Sequence, residues 1–140
     1  RIVLDCPPLI NQVSDQIIAA ADVIVLPLAP SPLSSRAMEQ VKRELARHHP
    51  HPPLLPVLSM VDPRRRLHRE VMEGFAKGWP TVPTSSLVEQ VATRRAPIGT
   101  YAGWTDTALA IERIWRGVEA KLEELERPRG AYTPPQSRAD

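Results

Sequence analysis

The feature that most constrains this chain of 140 residues is a set of apolar runs that are each followed closely by a proline. The runs cover residues 2–4, 23–26 and 54–61, and the prolines that follow them are Pro7, Pro27 and Pro63. An apolar run without polar alternation is typical of a strand buried on both faces of a parallel sheet. Proline has no N–H to donate and cannot continue a central strand. We therefore predict parallel strands over residues 2–6, 23–27 and 54–61.

The segments between these runs carry apolar residues at helical spacing, which predicts a helix in each of them. The predicted helices cover about residues 9–21, 33–47, 67–76, 86–93 and 105–126, and a short fourth strand covers residues 81–83. Alternating strands and helices predict an α/β fold with three layers (α/β/α), in which helices cover a mostly parallel sheet.

Local patterns refine these elements. Ser31 is a predicted N-cap with Pro32 at the first helical position. Ser86 and Glu89 form a capping-box pattern, and Pro56 hints that its strand lies at an edge or contains a bulge. Apolar spacing also predicts the buried helix faces, which are Leu67, Val71 and Phe75 in the helix over 67–76, and Leu109, Ile111, Ile114, Trp115, Val118, Leu122 and Leu125 in the last helix.

Composition narrows the class of protein. The net charge of +2 permits an anionic partner without requiring one, and a single cysteine excludes an internal disulfide framework. No apolar run approaches the roughly 20 residues that span a bilayer, so we expect a cytoplasmic protein with no membrane partner. Residues 127–140 are poor in apolar side chains and are predicted to form a disordered tail. Because the chain opens inside a strand-like run, we expect further residues upstream of Arg1.

Two groups of residues are candidates for metal chemistry. Asp5 follows the first apolar run, and a carboxylate at the carboxyl end of a parallel strand can hold Mg²⁺ beside a nucleotide phosphate. The alternative is that Asp5 only caps a turn. The second group is His48, His49 and His51, which lie in a run stiffened by prolines, and no cysteine or carboxylate adjoins this run. We interpret this second group as a solvated linker.

Four segments, taken in their order and spacing, resemble the second half of a ParA-type ATPase. This is the deviant Walker (ParA/MinD) family, whose members partition plasmids, chromosomes and other cargo. The segments are Ile2 to Pro8, Ala20 to Leu33, Met60 to Val71, and Val82 to Tyr101. The resemblance covers residues 1–126, which it identifies as the C-terminal part of a ParA-like ATPase domain.

The resemblance implies a P-loop NTPase-like fold that is incomplete at the N-terminus, with ATP and Mg²⁺ as cofactors. Asp5 would be the Walker B aspartate that helps to hold Mg²⁺, directly or through water. Cys6 and Pro7 would belong to the switch II region that senses the γ-phosphate. The adenine side would be lined by Met60, Asp62, Pro83 and Thr84.

The resemblance also implies partners. These are a second copy of the chain in an ATP-bound homodimer, non-specific DNA, and a ParB-like or other cargo adaptor, so the expected location is the nucleoid. Guanidinium groups suit phosphate oxygens, and the candidate DNA contacts are Arg64, Arg65, Arg66, Arg69, Arg94 and Arg95. The alternative for these arginines is an ordinary solvated surface.

One departure from the family leaves other functions open. The sequence contains no Gly-x-x-x-x-Gly-Lys-Ser/Thr loop, and without such a loop no backbone amides cradle the phosphates. One alternative is a truncated, non-catalytic fragment that acts only as a binding module. Another is a different deviant-Walker protein, such as a division-site regulator. A cluster-loading reductase is disfavoured because it needs paired cysteines.

Overall fold

The computed structural model describes residues 1–6 and 12–126. Within that part of the chain the elements follow one another as α1 (Gln12–Ala20), β1 (Ile24–Leu28), α2 (Pro32–Leu45), β2 (Leu54–Val61), α3 (Arg66–Glu73), β3 (Thr81–Pro83), α4 (Ser86–Arg94), α5 (Ile98–Ala102) and α6 (Asp106–Glu126). The α/β class is confirmed. Pro7, the predicted helix start near Leu9 and the predicted tail over 127–140 lie outside the described residues.

The strands form an open, all-parallel sheet in the order β1-β2-β3. β1 runs in register with the first half of β2, from Ile24 opposite Leu54 to Leu28 opposite Leu58. The second half of β2 pairs with β3, where Leu58 lies opposite Thr81. The strands predicted over 54–61 and 81–83 are confirmed, and the strand predicted over 23–27 is shifted by one residue. A parallel sheet with helices packed on it is compatible with a three-layer arrangement.

Each strand contains a proline, and the nitrogen of each proline lies where the sheet needs no N–H donor. The Ile24 N–H donates to the carbonyl of Pro53, the residue before β2, so the nitrogen of Pro27 faces the opposite side of β1. In β3 the Thr84 N–H bonds to Val61, which places the nitrogen of Pro83 on the outer side.

The proline in β2 follows the same rule although β2 is the central strand. The Leu58 N–H donates towards β3, and Pro56 faces the same side two residues earlier, before β3 begins. The predicted edge position of Pro56 is therefore wrong for the strand as a whole, whereas the predicted alternative, a bulge in the same strand, is present between Leu58 and Val61. The edge position holds locally, because the sheet has no third strand at that level among the described residues.

The strand predicted over residues 2–6 is wrong. Residues 1–6, which we call the N-terminal segment, form no strand, and Ile2, Val3 and Leu4 are 90%, 76% and 56% exposed. The segment is tied instead to the end of α6, where Arg1 forms ion pairs with Glu119 and Glu126. A strand is defined by a ladder to a neighbour, and no described strand pairs with this segment.

The main core lies where α2 and α3 pack on the sheet. Leu58 is fully buried at its centre. Leu28, Met38, Val61, Val71 and Ala76 surround it. Burying one such side chain contributes about 1.5–3 kcal/mol, so this cluster positions both helices. Val71 is buried as predicted.

The prediction for the rest of the helix over 67–76 is wrong. Leu67 and Phe75 are 42% and 43% exposed. The reason is that α3 ends at Glu73, so the helical spacing does not extend to Phe75. Phe75 packs edge-on against Trp79 instead, with 5.6 Å between ring centroids.

A second, smaller cluster joins α4, α5 and α6 around Ile98, Ala102 and Ala108. The sequence predicts an extended loop over 94–101 and no helix between residues 93 and 105; this is partly wrong, since α5 occupies the second half of that stretch. The capping box from Ser86 is also wrong, because the N-cap of α4 is Ser85, whose Oγ accepts a hydrogen bond from the Leu87 N–H. Ser86 is therefore the first helical residue.

The apolar stripe predicted for α6 is mostly exposed. Leu109, Ile111, Trp115 and Leu125 are each 39–49% exposed, and Val118 is the one predicted stripe residue that is buried. The helix instead buries Thr107, Ala108 and Ala110 near its start, where it packs against β3 and α5. Small side chains allow a close approach there. Among the described residues, no helix is both long enough and apolar enough to cross a bilayer.

Candidate functional site

The candidate site is an open groove at the carboxyl edge of the sheet. Because the strands are parallel, their carboxyl ends lie at the same edge, and there β1 leads into α2, β2 into α3 and β3 into α4. The groove has a volume of about 540 Å³. We call it the carboxyl-edge groove and define it by its lining, which is Ala29, Pro30, Ser31, Met60, Arg65, Leu67, His68 and Thr84.

Met60 reaches the groove through a β-bulge. Three steps on β2, from Leu58 to Val61, match only two on β3, from Thr81 to Pro83, so β2 carries one extra residue. Met60 adopts a left-handed φ of 57°, which is unusual for a residue with a side chain, and it is 60% exposed. The bulge thus turns a large apolar side chain out of the sheet and into the groove.

The loop after β2 is fixed by Asp62. Its Oδ1 accepts hydrogen bonds from the backbone N–H of Arg64, at 3.0 Å, and from Arg64 Nε, at 3.1 Å. This is the turn that an aspartate makes with the residue two positions ahead. The side-chain hydrogen bond from Arg64, reinforced by the backbone one, lowers the pKa of Asp62, and the same contact raises the pKa of Arg64. Asp62 therefore organises the loop beside the groove without lining it.

His68 is the groove residue that sequence reasoning missed. It lies on the first turn of α3, is 7% exposed, and its Nδ1 accepts a hydrogen bond from the backbone N–H of Asp62 at 3.0 Å. The only sequence signal was its spacing of three from Val71, which shares the buried face of the helix. A single histidine on a helix face gives no sign that it reaches a groove.

The four arginines after β2 are exposed, as predicted, but their guanidinium groups differ in what they contact. Arg64 is paired with Asp62, and Arg66 is paired with Glu70 at 2.7 Å. Arg69 donates to the carbonyl oxygens of Pro63 and Arg64. Among the described residues, Arg65 alone of the four has a guanidinium with no hydrogen bond or ion pair, and it alone lines the groove.

Arg94 and Arg95 do not join this cluster. They lie at the far end of α4, about 12 Å along the helix axis from its start at the groove. Arg94 donates to Gln90 and stacks over the ring of Tyr101, 4.7 Å from its centroid. Arg95 ends the helix in a left-handed conformation. The six arginines predicted as one DNA-contacting set therefore form two separate groups.

The structure does not bring Asp5 and Cys6 to the groove. Both are exposed in the N-terminal segment, which carries no strand and is tied through Arg1 to α6. In the described part of the chain, no cluster of potential metal ligands includes Asp5. The residues described here therefore do not fit a Mg²⁺–triphosphate site by themselves, and we derive no hydrolytic step from them.

One potential metal-ligand cluster lies elsewhere. Ligand atoms of Asp15, Glu44 and His48 lie within 4.8 Å of one another where α1 meets the end of α2. Two contacts account for this arrangement: His48 Nε2 lies 3.5 Å from Asp15, and Arg47 forms an ion pair with Glu44 at 2.9 Å. The cluster contains one of the three histidines that the sequence placed in a linker. Neither His49 nor His51 belongs to it.

The lining of the groove favours anions and neutral polar ligands over cations. None of its lining residues is acidic, and Arg65 contributes a positive charge. The exposed parts of Met60 and Leu67 add apolar surface at the groove. Comparison with known proteins adds no functional information: no protein-family model matches the sequence, and the search of curated proteins gives no significant match.

Proposed function

We propose that this chain is the C-terminal part of a ParA-type ATPase and that the carboxyl-edge groove receives the nucleotide. The observation that carries the proposal is the meeting of two segments that are distant in sequence. Met60 and Thr84 line one groove, and Asp62 and Pro83 flank it. These are the four residues that the resemblance gives to the adenine side, and the carboxyl edge of a parallel sheet is the usual ligand position.

The same proposal assigns the phosphate-binding loop to polypeptide outside these 140 residues, because the sequence contains no such loop. In the complete ATPase, Asp5 would then join that loop as the Walker B aspartate. ATP-dependent homodimerisation and an adaptor partner belong to the same proposal. The chain itself contributes the base side of the site, so its own activity is nucleotide binding and not turnover.

The base side is tested by filling the groove. We expect Thr84→Leu to weaken ATP binding by about tenfold, because the larger side chain occupies space that the base needs. The matched control is Thr93→Leu, which makes the same change at an exposed position near the other end of α4. Calorimetric titration of ATP and GTP into the chain and both variants measures the effect.

The expected result has two parts: ATP binds more tightly than GTP, and only Thr84→Leu weakens it. Equal affinity for ATP and GTP, or an equal effect of both substitutions, would overturn the assignment of the groove to adenine. The remaining alternative, a binding module without nucleotide, predicts no heat of binding with either nucleotide.

Non-specific DNA binding is a further part of the proposal, and it depends on the exposed arginines after β2. Arg64 and Arg66 are exposed, which suits phosphate contact, but each already has an acidic partner. DNA contact would then require these surface ion pairs to exchange, and such pairs are weak. Filter binding of duplex DNA over a series of salt concentrations tests this part. An affinity independent of salt would remove DNA from the proposal, because phosphate contacts release counterions.

A further inference from the structure

One hydrogen-bond donor on the lining of the carboxyl-edge groove, Nε2 of His68, has no role in the proposed function. His68 is nine-tenths buried, and its Nδ1 accepts the Asp62 N–H, so the neutral ring carries its proton on Nε2. No described residue bonds to Nε2 of His68. Yet the described part of the chain contains no buried side-chain nitrogen or oxygen without a partner. Nε2 is therefore accessible to solvent, and we infer that this access is through the groove that His68 lines.

Arg65 supplies a charge beside this donor. It occupies the N-cap position of α3, three residues before His68, and both side chains line the groove. Its neighbours Arg64 and Arg66 are neutralised by Asp62 and Glu70, whereas no described acidic residue pairs with Arg65. The positive charge of Arg65 is therefore available to a ligand.

The backbone around the groove adds to its positive electrostatic potential. α2 and α3 both begin at the groove, and neither N-cap residue, Ser31 or Arg65, makes a side-chain cap hydrogen bond. The first N–H groups of a helix lack partners within it, and the helix dipole places partial positive charge there. At α2 the first helical residue is Pro32, which has no N–H, so α3 supplies more of these donors. The Thr84 hydroxyl lies on the same lining, whereas the Ser31 hydroxyl donates to Ser34 Oγ, whose own proton goes to the Ala29 carbonyl.

We propose that the carboxyl-edge groove binds a small phosphorylated molecule whose phosphate group lies between Arg65 and His68. A guanidinium fork, an imidazole N–H and the Thr84 hydroxyl can all donate hydrogen bonds, which suits a tetrahedral oxyanion with several acceptor oxygens. The groove, at about 540 Å³, is larger than phosphate alone. The apolar surfaces of Met60 and Leu67 are left for the rest of the ligand. The proposal does not depend on the resemblance to ParA-type ATPases, and a phosphate held here occupies part of the groove that the proposed function gives to adenine, so the two ligands would compete for it.

Inorganic pyrophosphate is the probe, titrated by calorimetry into the chain at constant ionic strength set with chloride. Arg65→Gln removes the charge, and His68→Asn keeps an acceptor where Nδ1 accepts the Asp62 N–H while removing the donor at Nε2. We expect each substitution to weaken pyrophosphate binding about tenfold, the effect of losing one charge-assisted hydrogen bond. The matched control is Arg36→Gln, which removes the same charge from an exposed position on α2.

Binding of one pyrophosphate per chain that is weakened by Arg65→Gln and His68→Asn, but not by Arg36→Gln, supports the site. Equal weakening by all three substitutions would show that only the overall charge matters and would overturn the proposal. No detectable pyrophosphate binding in the chloride buffer would overturn it as well. Displacement of pyrophosphate by short duplex DNA would assign the site to a nucleic-acid backbone instead. Because pyrophosphate has no base, this result is independent of the preference for ATP over GTP that tests the proposed function.

Discussion

Two stretches of this molecule are nearly alike in sequence and differ completely in structure. The N-terminal segment contains Ile2-Val3-Leu4, and β1 contains Ile24-Val25-Leu26; prolines follow both. The first stretch is exposed and forms no strand, whereas the second is paired along its whole length with β2. Strand propensity and apolar content are the same for both, so neither explains the difference.

The difference lies in what surrounds each stretch. β1 has β2 as its ladder partner, and α2 covers one face of the pair through Met38. The N-terminal segment contacts the end of α6 through the ion pairs of Arg1, and exposed pairs of this kind contribute little. A run of β-branched residues is therefore a strand only where pairing and cover are both present.

The largest expected effect compares one leucine from each region. Leu58→Ala should lower the free energy of unfolding by about 2–5 kcal/mol, because the side chain is fully buried and leaves a cavity. Leu4→Ala, the same change at a position that is 56% exposed, should stay within about 0.5 kcal/mol of the unaltered chain. Urea unfolding followed by circular dichroism measures both. A large loss from Leu4→Ala would mean that the N-terminal segment packs in solution.

A proline substitution in each region tests whether its backbone is hydrogen-bonded to a neighbouring strand. Leu26→Pro removes an N–H that faces β2 and should cost about 1–3 kcal/mol, since the carbonyl on β2 loses its donor. Val3→Pro removes an N–H from a segment with no ladder and should cost nothing measurable. The same unfolding experiment applies. Equal losses would show that residues 2–4 pair with a strand after all.

The smallest expected effect compares two aspartates that each follow an apolar run. The hydrogen bonds from Arg64 lower the pKa of Asp62 below the ordinary value of 3.8. A carboxylate with a depressed pKa stabilises the folded state above pH 3.8, and this contribution disappears as the pH falls through the lowered value. Asp62→Asn keeps an acceptor for the turn but removes the charge.

We therefore expect Asp62→Asn to be less stable than the unaltered chain near neutral pH, and we expect the difference to shrink as the pH falls below 3.8. Added salt should also shrink the difference, because both side chains reach solvent. Asp5→Asn is the control, since no described arginine bonds to Asp5. Thermal unfolding from pH 2 to pH 7 is the measurement, and a difference that stays the same as the pH falls would assign the effect of Asp62→Asn to the turn and not to its charge.

The sequence predicted those parts of the fold that depend on neighbours along the chain. The strand over 54–61 and the strand over 81–83 are bounded by turn residues and prolines, and the structure matches both. Failures arose where the decisive contact is distant or a boundary moved. The N-terminal segment needed a pairing partner, Phe75 needed α3 to continue past Glu73, and α5 begins at Ile98 in spite of Gly99 and Thr100, which are poor helix formers.

The candidate site shows the same limit. The resemblance to ParA-type ATPases grouped Met60, Asp62, Pro83 and Thr84 together, and all four lie at the carboxyl edge of the sheet. It did not predict the bulge that turns Met60 outward or the contact of His68 with the Asp62 loop. Both depend on how β2, β3 and α3 fit together in space. The two groups of arginines likewise separate only once α4 is placed.

The placement of the strand prolines also bears on how copies of this protein behave towards one another. In the three-stranded sheet that the described residues, 1–6 and 12–126, contain, Pro27 and Pro83 lie on the two outer sides, where a strand from another molecule would add. At each of these positions the incoming strand finds no donor, so an intermolecular ladder loses a hydrogen bond at its middle or end. Prolines at exposed edges are a known protection against sheet-to-sheet aggregation. The prolines of the edge strands thus also disfavour the association of sheets from different copies of the chain.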